Sequence, residues 1–162
     1  MGTGRISLIV VAATLSLAGA SVLWATPGSL FMSTPLVRGM AATGIHVMPN
    51  HVRIDDKVDP TQTNDVLVQH VVAQPGGYSG WHSHPGYGVV VVRAGVATLY
   101  DGDDPSCNAK YVRAGEAFIE TPGHVHFVRN EGTEAYEAYA TFILPVGVAP
   151  RTNESSPGNC PF

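Results

Sequence analysis

Charge is scarce in this chain: Asp, Glu, Lys and Arg make up only 14% of its 162 residues. That scarcity argues against long, charge-laced helices. The nine Lys and Arg are outnumbered by thirteen Asp and Glu, giving a formal net charge of −4. A mildly acidic domain has no electrostatic attraction to nucleic acid or anionic lipid, so neither is an expected partner. Cysteine is scarcer still. Cys107 and Cys160 allow one disulfide at most, and with none near the N-terminus no thioether-linked lipid can be attached there. Acidic residues are missing altogether before Asp55, and Arg5 is the only charged side chain among residues 1–20.

That last gap marks the N-terminus as a separate segment. Arg5 is followed by an apolar run from Ile6 to Leu17 and then by Ala18-Gly19-Ala20, small residues at both positions a signal peptidase reads. Residues 1–20 therefore read as a signal peptide. If uncleaved, the run extends through Leu23, Trp24 and Ala25 to about the twenty residues that span a bilayer and becomes an anchor, the only route to a membrane association. Either way the rest of the chain is expected to be exported, and cleavage removes one positive charge, Arg5, moving the formal charge from −4 to −5. In an exported protein, two cysteines in the turn-like stretches around Pro105 and Pro157 read as a disulfide. Closing that loop is worth about 4 kcal/mol in the chain-entropy model and ties down the tail.

What is plentiful is glycine (18) and proline (12), with 44% hydrophobic residues. Short apolar runs punctuated by turns predict an all-β domain: strands over 65–74, 89–93, 97–100, 109–112, 116–119, 124–129 and 135–144. Gln74-Pro75-Gly76-Gly77 is expected to break the first of these, and Thr121-Pro122-Gly123 leads into the sixth. Residues 21–43 look like a linker with little fixed structure, 44–148 like one barrel or sandwich domain, and 149–162 like a tail held by Cys160. Tyr136, Tyr139 and Phe142 read as barrel wall. The acidic cluster Asp101, Asp103 and Asp104 lacks the glycine and terminal glutamate of an EF-hand loop and reads as a solvated turn.

The chemistry lies in two histidine pairs. In His82-Ser83-His84 the strand period of two aims both imidazoles the same way, and His124-Val125-His126 repeats the geometry downstream. Two such pairs facing each other across a small barrel would bring four imidazoles towards one metal site.

The residues around these pairs resemble the cupin superfamily. Gly76 and Gly77 precede His82 and His84, and Gly95 closes the first motif in register. Gly115, Gly123, His126 and Asn130 match the second motif, with Pro122 shifted by one and Thr121 in its usual place. The resemblance spans about residues 65–145 and implies a double-stranded β-helix, a jelly-roll cupin barrel with a metal held inside by His82, His84 and His126, with His124 as a fourth candidate, and by analogy a homodimer. One departure stands out: the position that carries the family's glutamate ligand is Gly88. Three readings follow: a three-histidine centre with open positions, a site in which His124 or a carboxylate from elsewhere fills the vacancy, or a barrel without metal. Neutral nitrogen donors alone would favour one divalent transition metal, zinc, iron, copper or nickel. The expected function is that of an exported metal-binding protein for a small-molecule ligand, either a dioxygenase-like metalloenzyme or a non-catalytic binding module. Glu116, Glu120 and Tyr87 are the nearest acid or base candidates, each read as a turn or surface residue.

Overall fold

The computed structural model describes residues 25–42 and 63–162 in full, and only the backbone of residues 44–48 and 51–55. The export segment expected over residues 1–20 lies outside the described residues. Among those described there is no helix.

The twelve strands are β1 (Ser29–Met40), β2 (Gly44–Met48), β3 (His51–Asp55), β4 (Asn64–Tyr78), β5 (His82–Ser83), β6 (Tyr87–Ala94), β7 (Val96–Asp101), β8 (Lys110–Arg113), β9 (Ala117–Glu120), β10 (His126–Arg129), β11 (Tyr136–Pro145) and β12 (Thr152–Asn153). All pairings are antiparallel. One layer runs β1, β4, β11, β6, β9 and the other β12, β5, β10, β7, β8, joined where Arg129 of β10 pairs with Tyr78 of β4. The two layers make a double-stranded β-helix, the jelly-roll architecture expected. β2 and β3 pair only with each other.

Why these segments are strands is clearest in β4, which alternates half-buried and buried residues from Asn64 to Ala73. That period of two sends one face into the barrel. The interior is filled by Leu67, Val71, Val90, Val92, Leu99, Val128, Phe142 and Leu144. A second, smaller core of Trp81, Tyr100, Phe127 and Cys160 lies outside the barrel wall, under the tail. Strands β5 and β10 separate the two cores, with His82, His126 and Val128 facing inward and Trp81 and Phe127 outward.

Three expectations need correction. Residues 29–40, read as linker, form β1, which pairs with β4 from Met40↔Asp65 to Ser29↔Tyr78. Nearly every β1 residue is exposed, so no alternation advertised it. It is held by ladder hydrogen bonds, by Phe31 against the core and by Arg38 on Asp65 at 2.7 Å. Pro75 does not end β4, which continues to Tyr78. Gly76, at φ +77°, bends the strand as it leaves β11 and reaches β10. The tail is held by more than Cys160: β12 pairs with β5, Thr152 opposite Ser83 and Asn153 opposite His82. Cys107 and Cys160 are bonded, their Cα atoms 5.3 Å apart.

Candidate metal centre

His82 and His126 are direct cross-strand partners, so their rings meet side by side rather than across the barrel, with centroids 4.3 Å apart. His84 lies 4.9 Å from His82 and 5.2 Å from His126 by the same measure. All three are buried. With Glu120 they form one cluster whose four donor atoms lie within 4.8 Å of one another.

Each imidazole is fixed from behind by a backbone carbonyl. His82 Nδ1 donates to Gly80 O at 2.9 Å, His84 Nδ1 to Pro150 O at 2.6 Å and His126 Nδ1 to His124 O at 3.0 Å. A proton held at Nδ1 leaves Nε2 as a bare lone pair, which is the tautomer a metal ligand needs. Two of these partners are local, but Pro150 comes from the tail, so pairing of β12 with β5 orients His84.

Glu120 was missed by sequence reasoning, which read it as a turn or surface residue. It is the last residue of β9, pairs across to Gly88 of β6 and is buried. A Cβ on Gly88 would sit 2.9 Å from Glu120 Oε2 and 2.6 Å from Phe142 Cε1. The missing side chain at 88 is thus the space the Glu120 carboxylate occupies. Of the readings left open by the sequence, a carboxylate supplied from elsewhere matches the geometry. The signal was indirect: Glu120 shares strand parity with Phe118, and both line the barrel cavity.

His124 does not join the cluster. Its ring stacks on His126 with centroids 6.0 Å apart, as strand parity implies, but its donor atoms stay outside the group of four. His124 turns to the surface, its Nε2 3.3 Å from Asp103 Oδ1. Asp104 caps the following turn, accepting from Ser106 N and Asn108 N. Glu116 accepts from Arg113 N in the turn after β8 and lies outside the cluster. His70 faces the other side of β4, paired with Glu137 at 2.7 Å, while the side chains of His46 and His51 lie outside the described residues.

The electrostatics suit cation binding. Burial, then the neighbouring charges of His126, Arg151 and His84, holds His82 well below the ordinary imidazole range. His84 is lowered too, chiefly by burial, against an opposing pull from Glu120. Burial pushes the Glu120 carboxyl up, but its close contact with His126 Nε2 and the positive charge around it outweigh that and hold it below the ordinary carboxylate range. The result is two imidazoles, His82 and His84, biased towards their neutral form beside one carboxylate. His84 Nε2 and Glu120 Oε2 approach to 3.3 Å yet neither has a hydrogen-bond partner. A divalent cation would satisfy both orphaned atoms at once, and the donor types fit one.

The cluster closes one side of a cavity of about 230 Å³. Val71, Val90, Phe118, Val128 and Phe142 make it largely apolar, Phe31 and Ser33 of β1 contribute wall, and Gln69, Tyr136 and Arg151 bring polar groups. Burial, then the Glu120 charge, pushes the Tyr136 phenol upward, so it stays protonated. Arg151 donates to Ser79 O at 2.5 Å and Asn153 Oδ1 at 2.8 Å, which fixes its guanidinium beside the donors.

A family model described as a cupin domain matches residues 69–142. No curated protein matches the chain. Among solved structures, the chain is similar to a conserved protein with a double-stranded β-helix domain from Klebsiella pneumoniae, at 27% identity over 56% of this chain and 70% of that one, TM-score 0.47. It is also similar to a cupin-like protein from Thermotoga maritima, at 24% identity over 56% and 65%, TM-score 0.46. A conserved protein of unknown function from Streptococcus pyogenes is 16% identical over 71% and 75%, TM-score 0.45.

Proposed function

The chain belongs to the cupin superfamily, and from that premise we propose that it is an exported metalloprotein in which His82, His84, His126 and Glu120 hold one divalent transition metal that binds a small oxygenated ligand in the barrel cavity. The observation that carries this reading is the buried four-donor cluster with two orphaned atoms. Three imidazoles and a carboxylate extend the expected candidates, zinc, iron, copper and nickel, to manganese. Export is supported by the apolar segment after Arg5 and by the Cys107–Cys160 bridge, a bond that persists in oxidising compartments.

A bound cation would supply Lewis acidity towards a ligand oxygen or a site for dioxygen. The chain's own residues do the rest. The carbonyls of Gly80, His124 and Pro150 keep the three Nε2 atoms aimed. The apolar wall excludes water, and Arg151 offers a fixed positive charge to an anionic ligand. Glu120 is committed to the donor cluster, so Tyr136 and Arg151 are the polar groups best placed to touch a ligand.

Element analysis of untagged full-length protein purified without chelator tests the reading. About one equivalent of metal is expected, lost in His84→Ala and retained in His70→Ala. Failure to bind manganese, iron, zinc, nickel or copper on reconstitution refutes it. Oxygen uptake with diketones, thiols and phenolic acids then separates catalysis from capture: stoichiometric metal with no uptake assigns a binding module.

A further inference from the structure

Five buried side-chain nitrogen and oxygen atoms among the described residues have no hydrogen-bond partner: His84 Nε2, Glu120 Oε2, Trp81 Nε1, Arg129 Nε and Asn159 Oδ1. The first two belong to the donor cluster. Trp81 and Arg129 belong together elsewhere. Both line a pocket of about 310 Å³ whose walls are the rings of Tyr78, Trp81, Phe127 and Phe162, with Thr26 and Pro27 at its edge. It shares no lining residue with the barrel cavity.

The geometry points to a second binding site here, for a small aromatic carboxylate, on the outer face of the strands that carry His82 and His126. Strand alternation creates it: Trp81 and Phe127 stand back to back with His82 and His126, so one pair of strands presents nitrogen donors inward and aromatic rings outward. Arg129, which lines the pocket, defines the ligand's polar end. A guanidinium can only donate, so the ligand must present acceptors. Among the described residues no carboxylate pairs with Arg129, whose guanidinium instead lies 5.5 Å over the Phe162 ring. An anionic acceptor answers the uncompensated charge, and a planar carboxylate matches the guanidinium fork.

The rings define the other end. Tyr78 and Phe127 stack at 5.5 Å, and Phe127 and Phe162 lie 5.0 Å apart. Trp81 and Phe162 are near parallel at 6.5 Å, the wide end of the range for aromatic pairs. Phe162 keeps 41% exposure, so this wall adjoins solvent and the pocket has an entrance. Cys160, two residues earlier, is bonded to Cys107 and holds that wall in place.

Calorimetric titration of the full-length, disulfide-intact protein with benzoate, phenylacetate and the neutral isostere benzamide tests the assignment. At least one acid should bind saturably and benzamide at least about tenfold more weakly, the scale of a charge-assisted hydrogen bond. Binding should persist after chelator treatment and in His84→Ala. An indole N–H proton resonance should shift on binding, and that shift should be missing in Trp81→Phe. In Arg129→Gln the preference for acid over amide should disappear. The assignment is overturned by no saturable binding at millimolar acid or by equal affinity for acid and amide in the unaltered protein. It is equally overturned by loss of binding with the metal, which would put the acid in the barrel cavity.

Discussion

Gly88 and Glu120 face each other across β6 and β9, and the carboxylate of one fills the space the other leaves vacant: a Cβ at 88 would stand 2.9 Å from Glu120 Oε2. The two positions therefore act as one unit. Gly88→Ala is expected to push Glu120 and Phe142 aside, destabilising the fold by about 1–3 kcal/mol, the usual cost of overpacking, and reducing bound metal. Glu120→Ala removes the only carboxylate of the cluster and should lower metal affinity more than Gly88→Ala while leaving the fold intact. Thermal melts with element analysis of both variants check this. A Gly88→Ala protein with unchanged metal content would show that the two positions are independent.

Acid should weaken the metal-free protein before it weakens most folds. His82 and His84 are held below their ordinary value of 6.5, first by burial. The unfolded chain therefore binds more protons than the folded chain as pH falls below about 6.5, and stability drops with it. Glu120, held below 4.5, extends the loss at lower pH. Urea denaturation of metal-free protein should show its midpoint falling between pH 7 and pH 5. Saturating metal should steepen that dependence, since ligating imidazoles must be neutral. A flat profile across that window would contradict the burial of the two rings.

The histidine cluster was legible because strand parity is a local property, and β4 and β6 to β11 were legible because their apolar residues alternate or end at turns. Long-range pairing was not legible. Glu120 acquires its role only once β9 lies beside β6, and one sequence position says nothing of its neighbour across a sheet. β1 was invisible for a related reason: it contributes few buried side chains, so its structure resides in hydrogen bonds to β4 rather than in a pattern of its own. Pro35 further disguised it, being tolerable only on a sheet edge. His124 failed in the opposite sense, since parity does set its ring against His126 but its Nε2 lies at the surface, 3.3 Å from Asp103 Oδ1.

The Cys107–Cys160 bridge and the pairing of β12 with β5 should have separable effects. Replacing both cysteines with serine is expected to lower global stability by about 4 kcal/mol, as chain-entropy arguments give for a loop of this size. Metal affinity in the absence of denaturant should stay within about threefold, because Pro150 is positioned by β12 and by Arg151 rather than by the bridge. Denaturant titrations and metal competition with a chelator measure the two quantities. A parallel loss of affinity would mean that the bridge, not the strand, orients His84.

Asn130 matches the second motif in sequence, yet it touches no donor of the cluster. It is fully buried, its Nδ2 donates to Ala73 O and Glu134 O, and its Oδ1 accepts from Gly132 N. Its backbone also exchanges hydrogen bonds with Gly76 and Gly77, so it ties the turn after β10 to the bent end of β4. Asn130→Ala would leave the Ala73 carbonyl without this donor inside the fold and should cost about 3 kcal/mol, the scale for a buried polar group stripped of its partner. Metal stoichiometry of the protein that remains folded should be unchanged, because His126 is four residues away and is fixed by its own contact to the His124 carbonyl. Denaturation and element analysis on the same preparation decide the matter: metal loss exceeding the unfolded fraction would make Asn130 part of the site rather than of the frame around it.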